Sequence, residues 1–146
     1  MSTALRRVIY TICTLLWLSG CAWLVVHFFF PVTTDFGPAP NPVEPWVLRV
    51  HGWVAIGAVF LFGWITSEHI SDKWRKPHNR VSGLSLAIFV SILTLSGYAL
   101  YYTTDRLHDA SGVAHEVLGA LAIVFALAHW RARERSATNR RGLRSV

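Results

Sequence analysis

Polar positions along this chain do not alternate with apolar ones. They gather into blocks that separate four long apolar runs, at about Val8–Phe30, Trp46–Ile70, Arg80–Tyr102 and Ala110–Trp130. Each run reaches the roughly 20 residues that a helix needs to cross ~30 Å of hydrocarbon. The blocks between them read as connections. Pro31 to Pro45 holds five of the six prolines, a composition that cannot continue a helix and predicts a loop. Ser71–Asn79 is polar and carries Lys73, Arg75, Lys76 and Pro77. Thr103–Asp109 is a short polar turn, and Arg131–Val146 is a basic tail expected to fray. No internal repeat with a period of 20 to 50 residues is visible. The pattern predicts an all-α integral membrane protein: a four-helix, up-down-up-down bundle as a single domain over residues 1–130, then a tail over 131–146.

Composition agrees with that reading. Hydrophobic residues make up 53% and charged residues 15% of the 146 positions, against a charged share of about 25% in soluble domains. That shortfall excludes disorder and disfavours an ordinary soluble domain. A net charge of +6 and a pI near 10.0 would elsewhere point to nucleic acid, but here the cations stand in short blocks beside the spans and act as topology signals. With four crossings, Arg6, Arg7, Lys73, Arg75, Lys76, Arg80, Arg131, Arg133, Arg135, Arg140, Arg141 and Arg144 fall on one side, and only Arg49 and Arg106 on the other. That asymmetry predicts that both termini are cytoplasmic; the expected location is the bacterial inner membrane, and nothing suggests a nucleic-acid partner. Trp46, Trp74, Tyr101, Tyr102 and Trp130 at span ends fit an aromatic belt. The two cysteines, Cys13 and Cys21, make no disulfide framework and no metal–cysteine site. Leu18-Ser19-Gly20-Cys21 after Arg6-Arg7 has the look of a lipoprotein signal, whose cleavage would lipidate Cys21. Ala22–Phe30 stays strongly apolar, which suits one continuous span better.

Seven histidines in so apolar a chain are the unusual feature. His51 and His69 are 18 residues apart in span two, five full helical turns, so they share a face. His115 and His129 are 14 apart in span four, again close to one face. In the predicted topology both spans run in the same direction. His51 and His115 then match in depth near the outer surface, and His69 and His129 near the inner one. Two imidazoles at each of two depths suit six-coordinate haem iron, which takes one axial nitrogen from each side of the porphyrin. The rise between levels is ~21 Å on span four and ~27 Å on span two, a mismatch that tilt or a kink must absorb. His27, at the outer end of span one, is an alternative outer ligand, while His78 and His108 fall in polar connections.

A porphyrin needs room. The histidine face of span four carries Gly119, Ala122 and Ala126, and that of span two carries Ala55 and Ala58 with Phe62 between the levels. Span three carries Gly83 and Gly97, also 14 apart, which would sit at the inner and outer levels. Small residues also simply let membrane helices pack; the repeated interval is what favours a haem role. No Cys-x-x-Cys-His occurs, so covalent haem c is excluded and haem b, two per chain, is implied.

On these residues the chain resembles the four-helix dihaem membrane cytochromes b that anchor respiratory oxidoreductases and exchange electrons with quinones. The resemblance covers about Val8 to Trp130 and rests on the topology, on His51, His69, His115 and His129, and on Gly83 with Gly97. Asn79-Arg80-Val81-Ser82-Gly83 and Leu95-Ser96-Gly97-Tyr98-Ala99-Leu100-Tyr101-Tyr102 also look like small bacterial members of the group. The 18-residue interval in span two departs from the family's usual spacing, which weakens the carry-over at His69 above all.

Haem propionates need cationic partners. Arg49 and Arg106 are the best placed outside, since the positive-inside rule gives no reason for them, and Arg80 is available inside. Glu116, beside His115, is a candidate proton acceptor at a quinol site; Glu68, beside His69, reads better as a carboxyl reaching an interface. No flavin or nucleotide motif and no iron–sulfur cysteines occur. A net reaction would therefore need a partner, a periplasmic cytochrome c or a dehydrogenase subunit. Two other classes compete. A small four-span transporter needs a membrane-embedded acid in an early span, and span one has none. A non-haem metal protein needs three or four ligands at one level, where each level offers two clear histidines.

Overall fold

The computed structural model describes residues 3–67 and 80–142. Four helices dominate: α1 (Thr3–Phe29), α2 (Glu44–Ile65), α3 (Arg80–Tyr102) and α4 (Asp105–Gly142), with a small β-hairpin, β1 (Val32–Thr34) and β2 (Gly37–Ala39), between α1 and α2. All four helices hold a stretch long and apolar enough to span a membrane. In hydrocarbon a helix satisfies its own backbone groups, and the chain reads as a multi-pass membrane protein. Its surface agrees: among the described residues Phe89 is the only buried hydrophobic side chain, while Trp53, Phe60, Leu95 and Tyr98 are among many that lie exposed.

The chain divides into two compact units, Met1–Gly63 and Trp64–Val146. Within the first, α1 and α2 are antiparallel. His27 meets Glu44, Ser19 meets His51, and Ile12 meets Gly57, so contacts run down one helix as they run up the other. Their connection is more ordered than a proline-rich loop predicts. β1 and β2 pair antiparallel with Val32 opposite Ala39 and Thr34 opposite Gly37. Gly37 takes a φ of 107° that only glycine adopts without strain. The Thr34 hydroxyl donates to the Gly37 carbonyl at 2.8 Å. Pro38 is tolerated because a two-stranded ribbon is all edge. A capping box opens α2: the Val43 N–H donates to Asn41 Oδ1 at 3.0 Å, and the Asn41 N–H donates to Glu44 Oε1 at 2.9 Å.

In the second unit α3 and α4 are also antiparallel. Phe89 stacks on Phe125 at 4.2 Å, Ser96 meets His115, and Gly112 lies by Leu100. The turn is tighter than predicted. Helix α3 closes with Thr103 N–H donating to the Ala99 carbonyl at 2.9 Å, and α4 starts at Asp105, whose positive φ of 53° turns the chain back. Helix α4 also runs beyond the apolar span to Gly142, so much of the tail expected to fray is helical. Arg, Ala and Glu dominate its start, and these are strong helix formers whatever their polarity.

Candidate functional site

Each unit lodges one histidine of its second helix against a Ser-Gly pair on its first. In the first unit, His51 Nδ1 lies 2.9 Å from Ser19 Oγ. A methyl group added at Gly20 would come within 3.2 Å of the same ring. In the second, His115 Nδ1 lies 3.0 Å from Ser96 Oγ and 3.1 Å from the Leu93 carbonyl. A methyl group at Gly97 would come within 3.0 Å of that ring. Both imidazoles are half-buried. Gly97, expected to make room for a porphyrin edge, therefore makes room first for an imidazole.

The other predicted residues fall elsewhere. His27 Nδ1 pairs with Glu44 Oε2 at 3.0 Å and stacks on Trp23 at 4.7 Å. Glu44, buried to 6% exposure, thus serves both the α2 cap and His27. Arg49 is exposed, with its guanidinium 4.5 Å over the Trp46 ring. Arg106 is exposed near the start of α4, and Glu116 is half-buried beside His115. At Gly83 and Gly119 no atom of the described residues lies within 4 Å of an added methyl group. Ala122 and His129 are half-buried on α4. His69, Glu68 and His78, and the side chain of Arg80, lie outside the described residues. Among the described residues no group of three or more His, Cys, Asp or Glu side chains gathers as a metal site would require.

Ser19, Gly20, Ser96 and Glu44 are absent from the sequence-derived site. A lone hydroxyl in an apolar helix carries little signal, because it usually bonds its own preceding turn. Ser85, Ser91 and Thr94 do so here, to Val81, Ala87 and Val90. The available signal was the pattern Leu-Ser-Gly-x-Ala, which occurs at Leu18–Ala22 and again at Leu95–Ala99. Its offset exceeds the 20- to 50-residue periods considered above.

Compared with protein-family models, with curated proteins and with solved structures, the chain gives no match. The likeness to four-helix cytochromes b rests on the residues named here alone.

Proposed function

We propose that the chain is a b-type cytochrome of the bacterial inner membrane that carries electrons between the quinone pool and a redox partner on the outer face. In this reading the four helices form an up-down-up-down bundle with both termini cytoplasmic. The twelve-to-two division of cations supports that orientation. His51 and His115 would hold the outer haem b, and His69 and His129 the inner.

The observation that carries the reading is the paired seating of His51 and His115. Each imidazole is held by Nδ1 at a serine and pressed against a glycine, in a helix with a membrane-length apolar stretch. A bond at Nδ1 is how proteins orient a histidine whose other nitrogen binds a metal. One such histidine per hairpin suits haem iron, which asks a single nitrogen of each side. Zinc or copper would ask three or four ligands at one place. The absence of described neighbours within 4 Å of a Cβ at Gly83 and Gly119 is compatible with a flat macrocycle there. Bound haem b would supply the one-electron couple. Arg49 and Arg106 are suited to anionic propionates, and Glu116 to accepting a quinol proton. Any net reaction needs a partner subunit.

A reduced-minus-oxidised visible spectrum of the purified protein, with pyridine-haemochrome quantitation, tests the proposal. A sharp b-type α band near two haems per chain is expected. One haem would retain the cytochrome and remove one histidine pair. No haem, from cells with ample haem, would refute it.

A further inference from the structure

The two hairpins carry one pattern at one place. Leu18-Ser19-Gly20-Cys21-Ala22 on α1 and Leu95-Ser96-Gly97-Tyr98-Ala99 on α3 agree at four of five positions. The histidine seated on each is followed by small residues at the same two offsets: Ala55 and Ala58 after His51, Gly119 and Ala122 after His115. Offsets of four and seven lie on the histidine's own face, one and two turns along. The seating distances agree as well, 2.9 and 3.0 Å to the serine oxygens.

Proton accounting then favours one tautomer at each histidine. A serine hydroxyl has one proton to donate. Ser19 Oγ lies 2.9 Å from both the Leu16 carbonyl and His51 Nδ1; with its proton on the carbonyl, the usual bond of a helical serine, Nδ1 is the donor and carries the hydrogen. Ser96 donates to the Leu93 carbonyl at 3.0 Å. That carbonyl, which can only accept, also lies 3.1 Å from His115 Nδ1, so Nδ1 again carries the hydrogen. In a neutral imidazole the lone pair then belongs to Nε2.

We infer that the chain is built from two copies of one ligand-presenting hairpin, in which Ser19 and Ser96 are positioning residues that hold His51 and His115 as Nδ1–H tautomers with Nε2 as the coordinating nitrogen. The identity of the metal rests on the haem reading above; the tautomers do not. Neither serine coordinates. Each acts through its imidazole, whose donor strength an Nδ1–H···O bond raises. A stronger axial donor favours the ferric state, so removing the hydroxyl raises the reduction potential.

The test is a redox titration with low-spin EPR on the haem-loaded full chain, in wild type, Ser19→Ala, Ser96→Ala and the Ser→Thr variants. A parallel ¹⁵N-histidine NMR spectrum of haem-depleted wild type reads the tautomers. Both alanine variants should move the midpoint of the same haem upward and shift its EPR signature, threonine should restore both, and His51 and His115 should read as Nδ1–H. Alanine variants that load haem with midpoints and EPR unchanged would overturn the inference and leave the cytochrome reading standing. Alanine variants that move different haems would overturn the equivalence of the two hairpins. A wild type that takes up no haem would end the cytochrome reading. The NMR spectrum then decides alone: Nδ1–H at both histidines upholds the positioning role, and Nε2–H at either overturns it.

Discussion

The two hairpins differ most where their helices are joined and least where their histidines sit. Residues 30–43 connect α1 to α2 through a β-ribbon, a capping box and a His27–Glu44 pair. Two threonines suffice between α3 and α4. Yet His51 and His115 are seated alike, to within 0.1 Å at the serine oxygen. Seating is therefore independent of the turn and belongs to the helix faces. The remaining asymmetry is local: at His115 the Leu93 carbonyl shares the Nδ1 hydrogen with Ser96. Ser96→Ala accordingly leaves an acceptor in place and should have the smaller effect of the two serine variants.

The largest effect is expected at the proposed ligands. His51→Ala and His115→Ala should each remove the same one of two haems, counted by pyridine haemochrome. If only one of them lowers the count, the two hairpins are not equivalent. Gly119→Leu comes next. Among the described residues no atom lies within 4 Å of a Cβ added at Gly119, and leucine favours a helix over glycine by roughly 1 kcal/mol. Thermal stability of the haem-free protein should hold while haem occupancy falls severalfold; equal occupancy would remove Gly119 from the haem face.

Substitution at the seating glycines sharpens the comparison further. A methyl group at Gly97 meets His115 Cε1 at 3.0 Å, and one at Gly20 meets His51 Cε1 at 3.2 Å. Overpacking of this kind costs about 1–3 kcal/mol. Gly97→Ala should be the more damaging, seen as a larger drop in unfolding midpoint in one detergent. Gly57→Ala, with its nearest contact at 3.8 Å from Ile12, is the control and should be neutral or stabilising. Equal losses at all three positions would show that helix packing in general, rather than histidine seating, is being measured.

What the sequence made legible follows from length scales. An apolar run longer than 20 residues has one outcome in lipid, so the four helices could be read directly. The β-ribbon could not, because its five residues other than Thr34 include a proline and a glycine and bury little. Helix α4 beyond Trp130 was hidden by the opposite error. Polarity there predicts a frayed tail, although Ala132, Arg133 and Glu134 favour a helix. At the site, the histidines stood out because imidazole is rare in an apolar run. The serines did not, since a hydroxyl there is usually occupied by its own helix. Only the repeat at Leu18–Ala22 and Leu95–Ala99 distinguishes Ser19 and Ser96 from Ser85 or Ser91.

The smallest effect tests whether the elaborate first connection matters to the site at all. Glu44 accepts from the Asn41 N–H through Oε1 and meets His27 through Oε2. Glu44→Ala loses the acceptor of the Asn41 N–H, one hydrogen bond worth about 1 kcal/mol, as well as the pair, while Asn41 still caps Val43. Glu44→Gln keeps an acceptor for Asn41 and loses only the charge opposite His27, whose side chain is 41% exposed; such a contact is worth at most about 1 kcal/mol and weakens with salt. Unfolding midpoints should therefore fall in the order Gln, then Ala, with haem content unchanged in both. His27→Ala should likewise keep its haem, because in this geometry His27 serves Glu44 while His51 is the histidine seated on Ser19 and Gly20. Loss of one haem in His27→Ala, with His51→Ala intact, would transfer the outer ligand to α1 and break the likeness between the hairpins at its root.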